Sequence, residues 1–270
     1  SFSKMVPQMD SLGPVFLEIR EMLHRELKFD LEREALHTFI EYLKNDRRYV
    51  VPRPVDELCT PKLLVTEFEG GLRVDDRRVL ELSLEERNQI AEAFLELYFR
   101  EILDFGKVQT DPHFGNYAIR LGPPHQVILY DFGALREFPK EFVEGYKNML
   151  RGITRDDTKL FREGCAQTGD FRKPLTEEQW AFFESFCQLA CEPFLMFKKT
   201  KFEDEAGYHW AKTDLPDRLV SRLGEFKSVF RTHSPPKDFI FLDRKVSGMF
   251  IVFAKLGAVF DPRPHLQKHL

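Results

Sequence analysis

The stretch Asp111-Pro-His-Phe-Gly-Asn116, followed by Val-Ile-Leu-Tyr-Asp131-Phe-Gly133, decides the fold of this chain. It sets an aspartate and an asparagine five positions apart and places a second aspartate at the end of a short apolar run. Three oxygen-bearing side chains suit a hard cation such as Mg²⁺, which needs few protein ligands when nucleotide phosphates supply the rest. The pattern therefore predicts a site for a metal ion and a nucleotide.

Phosphoryl-transfer enzymes of the protein-kinase fold use this spacing. In them the first aspartate orients or deprotonates the attacking hydroxyl, while the asparagine and the second aspartate hold the metal ions. Either motif alone is more typical of a cap or a turn, but their order and short separation favour a kinase-like site. The predicted elements follow the same order of helix, loop, and two strands around a turn: residues 95–105, 109–116, 117–120 and 126–130.

Composition sets the limits of this interpretation. A hydrophobic content of 43% with 27 phenylalanines supports a packed core, and the net charge of −4 gives no reason to expect a nucleic-acid partner. Cys187 and Cys191 lie one helical turn apart in an apolar segment, which favours core positions over a zinc site or a disulfide. We expect a cytoplasmic protein, with a peripheral position at a membrane as the alternative, because no apolar run reaches the ~20 residues of a membrane helix.

The order of elements predicts an α+β fold of the protein-kinase type with two parts. Residues 1–69 are expected to form part of an N-lobe, with a long helix at 14–42 and strands at 49–54 and 62–68. Gly70-Gly71 predicts a hinge, and residues 70–270 a mostly helical C-lobe that contains the catalytic loop. After this loop, helices are predicted over 140–153, 156–164, 176–198, 215–230 and 239–260. Ser83 and Glu86 form a capping-box pattern at the start of the helix that leads to this loop.

Two further segments extend the pattern to a family resemblance. They are Glu32-Arg-Glu34-Ala35 on the first helix and Leu64-Val-Thr-Glu67-Phe68 before the glycine pair. Together with the two loop motifs they resemble the UbiB/AarF (ADCK-type) atypical kinases, from about Glu18 to the end of the chain. The resemblance implies ATP or ADP with Mg²⁺, an ATPase or small-molecule kinase activity, and a link to isoprenoid-quinone (ubiquinone) biosynthesis.

The resemblance also assigns roles to residues. Asp111 matches the catalytic aspartate, and Asn116 and Asp131 match the metal ligands. Glu34 matches the helix glutamate that pairs with a phosphate-positioning lysine. The nucleotide-binding residues include Glu67 and Phe68, which match the hinge segment whose backbone meets the adenine edge.

Three departures from the family pattern qualify these roles. The nucleotide loop and its lysine are not visible, which is most simply explained by an N-terminal segment missing from this chain. If so, the chain alone should bind nucleotide poorly. Lys28 stands where the family carries the glutamate of an E-x-D pair, and Phe114 replaces a proline in the catalytic loop. We expect His113 to have a structural role in that loop.

Two alternatives stay open. The chain could be a catalytically weak, nucleotide-binding pseudokinase that serves as a scaffold for lipid-modifying enzymes, or an aminoglycoside- or choline-kinase-like phosphotransferase. Residues 131–140 contain neither an A-P-E motif nor a Ser, Thr or Tyr, so a peptide substrate is not expected. We expect a small-molecule or lipid substrate, and membrane-associated enzymes of quinone biosynthesis as partners.

Overall fold

The fold is a mixed α+β arrangement in which helices dominate. The computed structural model of the protein describes residues 29–111, 113–168, 174–229 and 237–270. The helices of these ranges are α1 (Phe29–Leu43), α2 (Arg77–Leu80), α3 (Leu84–Phe99), α4 (Lys140–Arg155), α5 (Thr158–Gln167), α6 (Glu177–Ala190), α7 (Leu215–Val229), α8 (Lys237–Leu256) and α9 (Arg263–Gln267). The strands are β1 (Tyr49–Val50), β2 (Lys107–Gln109), β3 (Tyr117–Arg120), β4 (Gln126–Leu129), β5 (Leu135–Glu137), β6 (Glu203–Asp204), β7 (Gly207–His209) and β8 (Val259–Phe260).

Helix α3 is the centre of the main core and leads directly to the catalytic loop. Its predicted capping box is confirmed: the Ser83 hydroxyl accepts from the backbone N–H of Glu86, and the Glu86 carboxylate accepts from that of Ser83. The second half of α3 is buried on nearly all sides, against α8, α9 and β4. A π-helical segment, Arg100–Phe105, continues it until Gly106, whose φ of +63° ends the helix.

Two small sheets hold the segments that carry the motifs. Strands β3 and β4 form the predicted antiparallel hairpin, with Tyr117 opposite Leu129, and β1 pairs with β4 in parallel. Strand β2 enters the catalytic loop and pairs with β5, which leaves the second motif. The chain before Asp111 is therefore held against the chain after Asp131.

The two strands predicted within residues 1–69 are mostly wrong. The range 49–54 keeps only β1, and 62–68 forms isolated bridges, one of them between Pro54 and Thr66. Backbone bonds on both sides of that bridge survive, from Val55 N to Val65 O and from Glu67 N to Arg53 O, both 2.8 Å. These bonds flank the Pro54–Thr66 pair, where an N–H of residue 54 would face away from the partner, and the pairing ends where the chain enters the 3-10 helix Asp56–Leu58.

The predicted hinge glycines lie close to the β3–β4 hairpin. Leu72 exchanges two backbone hydrogen bonds with Ile119, at 2.7 and 2.8 Å. A Cβ atom at Gly71 would lie 2.7 Å from the Cβ of Ala118, so the backbone approaches the hairpin as only glycine allows. This segment is therefore packed against the hairpin, and the division into residues 1–69 and 70–270 stays a prediction.

The helices after the second motif largely follow the prediction, but their ends differ. The predicted start at Lys140 is confirmed by α4. The helix predicted over 176–198 ends at Ala190, before Pro193, and the helix predicted over 239–260 ends at Leu256. Gly257, with a φ of +58°, redirects the chain into β8, which joins β6 and β7 in a sheet that the sequence did not indicate. The helix predicted over 14–42 is described only from Phe29, and its earlier part lies outside the described residues.

Candidate nucleotide and metal site

The catalytic-loop motif folds into a turn that brings its two functional side chains into contact. The side-chain amide of Asn116 donates to the Asp111 carboxylate at 2.8 Å. A 3-10 turn, Phe114–Asn116, makes this possible, with the Asn116 N–H bonded to the His113 carbonyl at 3.0 Å. The His113 ring accepts from the Gly115 N–H at 3.0 Å, so it caps this turn as expected of a structural residue.

The second motif places Asp131 in a tight turn above a buried ring. The Asp131 carboxylate accepts from the Gly133 N–H at 2.7 Å, which fixes one of its oxygens. Phe132 is buried and packs against Phe39 of α1, with ring centroids 4.5 Å apart. The carboxylate is half-buried, and its position is set by the turn and by the packing of the neighbouring ring.

Backbone hydrogen bonds join the two motifs. The N–H of Tyr130 donates to the Asn116 carbonyl at 3.0 Å, just before Asp131. On the other side, the Thr110 N–H and hydroxyl both donate to the Ala134 carbonyl, at 3.2 and 2.9 Å. Both ends of the catalytic loop are thus bonded to the residues that flank Asp131 and its turn.

Glu32 of α1 also reaches this site, although the sequence prediction did not include it. Burial raises the pKa of its carboxyl above the ordinary value, and the negative charge of Asp131 beside it raises the pKa further. The Phe132 N–H partly opposes this rise by stabilising the charged form of Glu32. A carboxyl in such a place favours its neutral form, or a cation close by.

Helical periodicity was the signal that could have identified Glu32. The buried residues of α1 are Ala35, Leu36, Phe39 and Leu43. Glu32 lies four positions before Leu36 and therefore on the same face, whereas Glu34 lies on the exposed face. The structure does not bring Glu34 to the aspartates.

The predicted hinge residues also lie apart from the Asp111–Asn116 contact. Glu67 is exposed, with its N–H bonded to the Arg53 carbonyl at 2.8 Å. Phe68 has 94% of its surface exposed. Lys28, at the position of the family's E-x-D glutamate, is outside the described residues.

The oxygen donors fit a magnesium ion that is held largely by phosphates. Within residues 29–111, 113–168, 174–229 and 237–270, no three or more His, Cys, Asp or Glu side chains are grouped to hold a metal. Asn116 donates through its nitrogen, which leaves its amide oxygen for a cation, and Asp131 has one oxygen outside its turn bond. Mg²⁺ is commonly bound by one or two protein ligands together with substrate phosphates and water.

Comparison with known proteins agrees with this geometry. A model of the ABC1 atypical kinase-like domain matches residues 1–164. The chain belongs to this family. The predicted resemblance to the UbiB/AarF kinases is therefore confirmed, and the family is associated with ubiquinone biosynthesis.

Curated relatives cover most of the chain. It is 31% identical to atypical kinase COQ8B of Rattus norvegicus over 88% of the chain and 44% of the relative. It is 30% identical to COQ8B of Danio rerio over 90% and 38%, and 29% identical to COQ8 of Saccharomyces cerevisiae over 95% and 49%. The chain thus spans less than half the length of these relatives. All three carry the word mitochondrial in their names.

A solved structure shows the fold. The chain matches Mycobacterium tuberculosis Rv3197, determined as a complex with erythromycin, with a TM-score of 0.67 and 18% identity. The match covers 100% of this chain and 63% of that one. None of the helices in the described part of the chain has the length and apolar character needed to cross a membrane.

Proposed function

We propose that this chain carries the metal-binding and catalytic half of an ATP-using atypical kinase, either an ATPase or a small-molecule kinase. One observation carries the proposal: Asp111 and Asn116 are in direct contact, in a loop whose two ends are hydrogen-bonded to the residues around Asp131. Bound Mg²⁺ and ATP or ADP would supply the phosphoryl chemistry and the neutralising charge.

Each side chain has a role that follows from its place. Asn116 and Asp131 would hold the metal ion, the first with its amide oxygen free and the second with one carboxylate oxygen outside its turn bond. Asp111 orients the attacking water or hydroxyl and accepts its proton, and its bond from the Asn116 amide fixes the direction of its carboxylate. Glu32 adds a second carboxyl beside Asp131.

The adenine side of the site completes the proposal. The family resemblance assigns backbone contacts with the adenine edge to Glu67 and Phe68, and a lysine partner to Glu34. In the structure Glu67 and Phe68 are exposed, at the end of the segment that reaches the hairpin through Leu72. We propose that they meet the base when nucleotide binds.

The acceptor is proposed to be water, a small molecule or a lipid. Strand β5 begins two residues after Gly133 and helix α4 starts at Lys140, so little chain is left to dock a peptide. The family's association with ubiquinone biosynthesis supports a role in making an isoprenoid quinone, with the membrane-associated enzymes of that process as partners.

The compartment is part of the proposal. The expected cytoplasmic setting, or a peripheral position at a membrane, is compatible with four free cysteines. The names of the three relatives make mitochondria the competing location. Fractionation of cells that express the full-length protein separates the two.

One feature favours a second candidate function, a nucleotide-binding scaffold with weak catalysis. Burial and the charge of Asp131 raise the pKa of Glu32 and so favour its neutral form, which leaves less negative charge beside the metal site and a weaker hold on Mg²⁺. The predicted aminoglycoside- or choline-kinase-like alternative has no comparable observation in its favour.

Hydrolysis of ATP by the full-length protein tests the proposal, with Asp131→Asn as the decisive variant. We expect the variant to lose roughly 10³-fold or more of the rate, because a ligand of the catalytic metal loses its charge. Asp217→Asn is the matched control, since Asp217 is exposed on α7, and should keep the wild-type rate. Equal rates for wild type and Asp131→Asn would contradict an ATPase. Binding of Mg²⁺-ATP without turnover would support the scaffold.

A further inference from the structure

A buried ion pair lies in the core next to the catalytic loop, and none of the roles given above includes it. Lys245 of α8 is 6% exposed and Glu101 of the π-helical segment is 1% exposed, with the Lys245 Nζ 2.9 Å from a Glu101 carboxylate oxygen. Burial opposes the charge on Lys245, but the attraction of Glu101 outweighs it and raises the pKa of Lys245. The lysine is therefore charged at neutral pH.

This ion pair connects to both ends of the catalytic loop through Tyr117. Burial raises the pKa of the Glu101 carboxyl, and Lys245 and the backbone N–H of Gln109, two positions before the catalytic aspartate, oppose that rise. Lys245 donates to the Tyr117 hydroxyl oxygen at 3.1 Å, and Tyr117 directly follows the metal-binding asparagine. The Tyr117 hydroxyl in turn donates to the Gln109 side chain at 3.4 Å, which closes the ring of contacts.

A gain in stability does not explain why charged residues occupy these two buried positions, Lys245 and Glu101. A buried ion pair is often no more stabilising than well-packed apolar side chains of similar volume. Its hydrogen bonds, however, have fixed directions, so the pair defines where Gln109 and Tyr117 lie in relation to each other. The π-helical turn supports this, because it belongs to the segment that carries Glu101 into the core.

We propose that Lys245 and Glu101 are positioning residues that clamp the two ends of the catalytic loop and so set the geometry of Asp111 and Asn116. They act through Gln109 and Tyr117 and do not touch the nucleotide. The expected effect on turnover rests on the proposed function. The effect of the clamp on the position of the loop does not depend on it.

Removal of a single hydroxyl tests the clamp in the full-length protein. Tyr117→Phe should lower kcat for ATP hydrolysis roughly 10- to 100-fold with little change in KM, because displaced catalytic groups reduce the rate more than binding. Tyr98→Phe is the matched control: Tyr98 is also buried, but its hydroxyl bonds to that of Tyr146 at 3.0 Å and not to Lys245 or Gln109. Equal kcat values for the two variants would overturn the proposal.

A pair of charge variants separates positioning from folding. Lys245→Met leaves the buried Glu101 carboxyl without its cation, so both Tm and kcat should fall. Glu101→Leu combined with Lys245→Met removes both charges, so Tm should return toward the wild-type value while kcat stays low. Recovery of kcat together with Tm would show that the pair serves stability alone, and would contradict the proposal.

Amide hydrogen exchange tests whether the ion pair holds residues 107–117 in place, even if the wild-type protein hydrolyses no ATP. Tyr117→Phe and the double variant should exchange faster than wild type at residues 107–117, with α4 and α5 unchanged. Tyr98→Phe should leave 107–117 as in wild type. Unchanged exchange over 107–117 in the double variant refutes the clamp. Faster exchange without any hydrolysis in the wild type upholds the clamp and refutes the proposed ATPase.

Discussion

The candidate site has a proposed phosphate side, formed by Asp111, Asn116 and Asp131, and a proposed adenine side, formed by residues 62–68. The fold supports the two sides in different ways. Asp111, Asn116 and Asp131 lie in loops joined by backbone hydrogen bonds and supported by the buried ring of Phe132. The segment that ends at Phe68 has isolated bridges in place of a ladder, and the Phe68 side chain is almost fully exposed. The fold therefore preorganises the residues proposed to bind the metal, whereas the segment proposed to meet the adenine has less support from its neighbours.

The largest effect on the free energy of unfolding should come from removing the buried ring that packs against Phe132, next to Asp131. Phe39 is fully buried and contacts the rings of Phe132 and Phe105. Phe39→Ala should lower the free energy of unfolding by about 3–5 kcal/mol, because it removes a large side chain and leaves a cavity. Urea unfolding measures this. Leu31→Ala on the same helix, where the side chain is 50% exposed, is the control and should stay within about 0.5 kcal/mol.

A smaller effect, on the pH dependence of the free energy of unfolding, should come from His269. This residue lies beside Glu96 of helix α3 and, within the described residues, does not contact the loops of the candidate site. Burial alone would lower the pKa of His269, but its hydrogen bond to Asp104 and the nearby Glu96 carboxylate outweigh this and raise the pKa to about 9. A raised pKa means that the protonated form stabilises the fold. The contribution is complete below the unfolded value of about 6.5 and is lost as the pH rises through about 9.

The free energy of unfolding should therefore decrease by about 1–2 kcal/mol between pH 6.5 and 9, after allowance for solvent screening. Chemical unfolding at several pH values measures the slope. His269→Gln should flatten it in this window. A slope that survives in His269→Gln would refute the assignment.

The smallest effect on the free energy of unfolding should come from a substitution on the proposed adenine side. Phe68→Ala should change the free energy of unfolding by less than about 0.5 kcal/mol, because the ring is 94% exposed and buries almost nothing. The KM for ATP should rise only a few-fold, since the proposed contacts there are made by the backbone. Unfolding and hydrolysis measured on the same preparation test both. A loss above 1 kcal/mol would show that this segment is as firmly packed as the phosphate side.

Local patterns predicted the parts of the site that depend on near neighbours in sequence. The spacing of Asp111 and Asn116 and the turn between β3 and β4 each involve only a few consecutive residues, and the structure has both the contact and the hairpin. The capping box at Ser83 was predicted for the same reason. The strand at 62–68 failed because its pairing partner leaves the extended conformation at the 3-10 helix Asp56–Leu58, which leaves only isolated bridges.

The remaining features depend on contacts between distant parts of the chain. Lys245 lies 128 positions from Tyr117, so no pattern near the catalytic loop could indicate it. Strands β6 to β8 have two or three residues each and are defined by their pairing alone. Glu32 was accessible from the helical period of α1, but the family resemblance pointed to Glu34, two positions away on the exposed face.

A crystal structure of the full-length protein with Mn²⁺ and a non-hydrolysable ATP analogue tests the central claim most directly. The anomalous signal of manganese would locate the cation without ambiguity. We predict the ion roughly 2.0–2.3 Å from the Asn116 amide oxygen and an Asp131 carboxylate oxygen, with Asp111 facing the terminal phosphate. An ion bound to the phosphates but to neither of these two side chains would contradict the account.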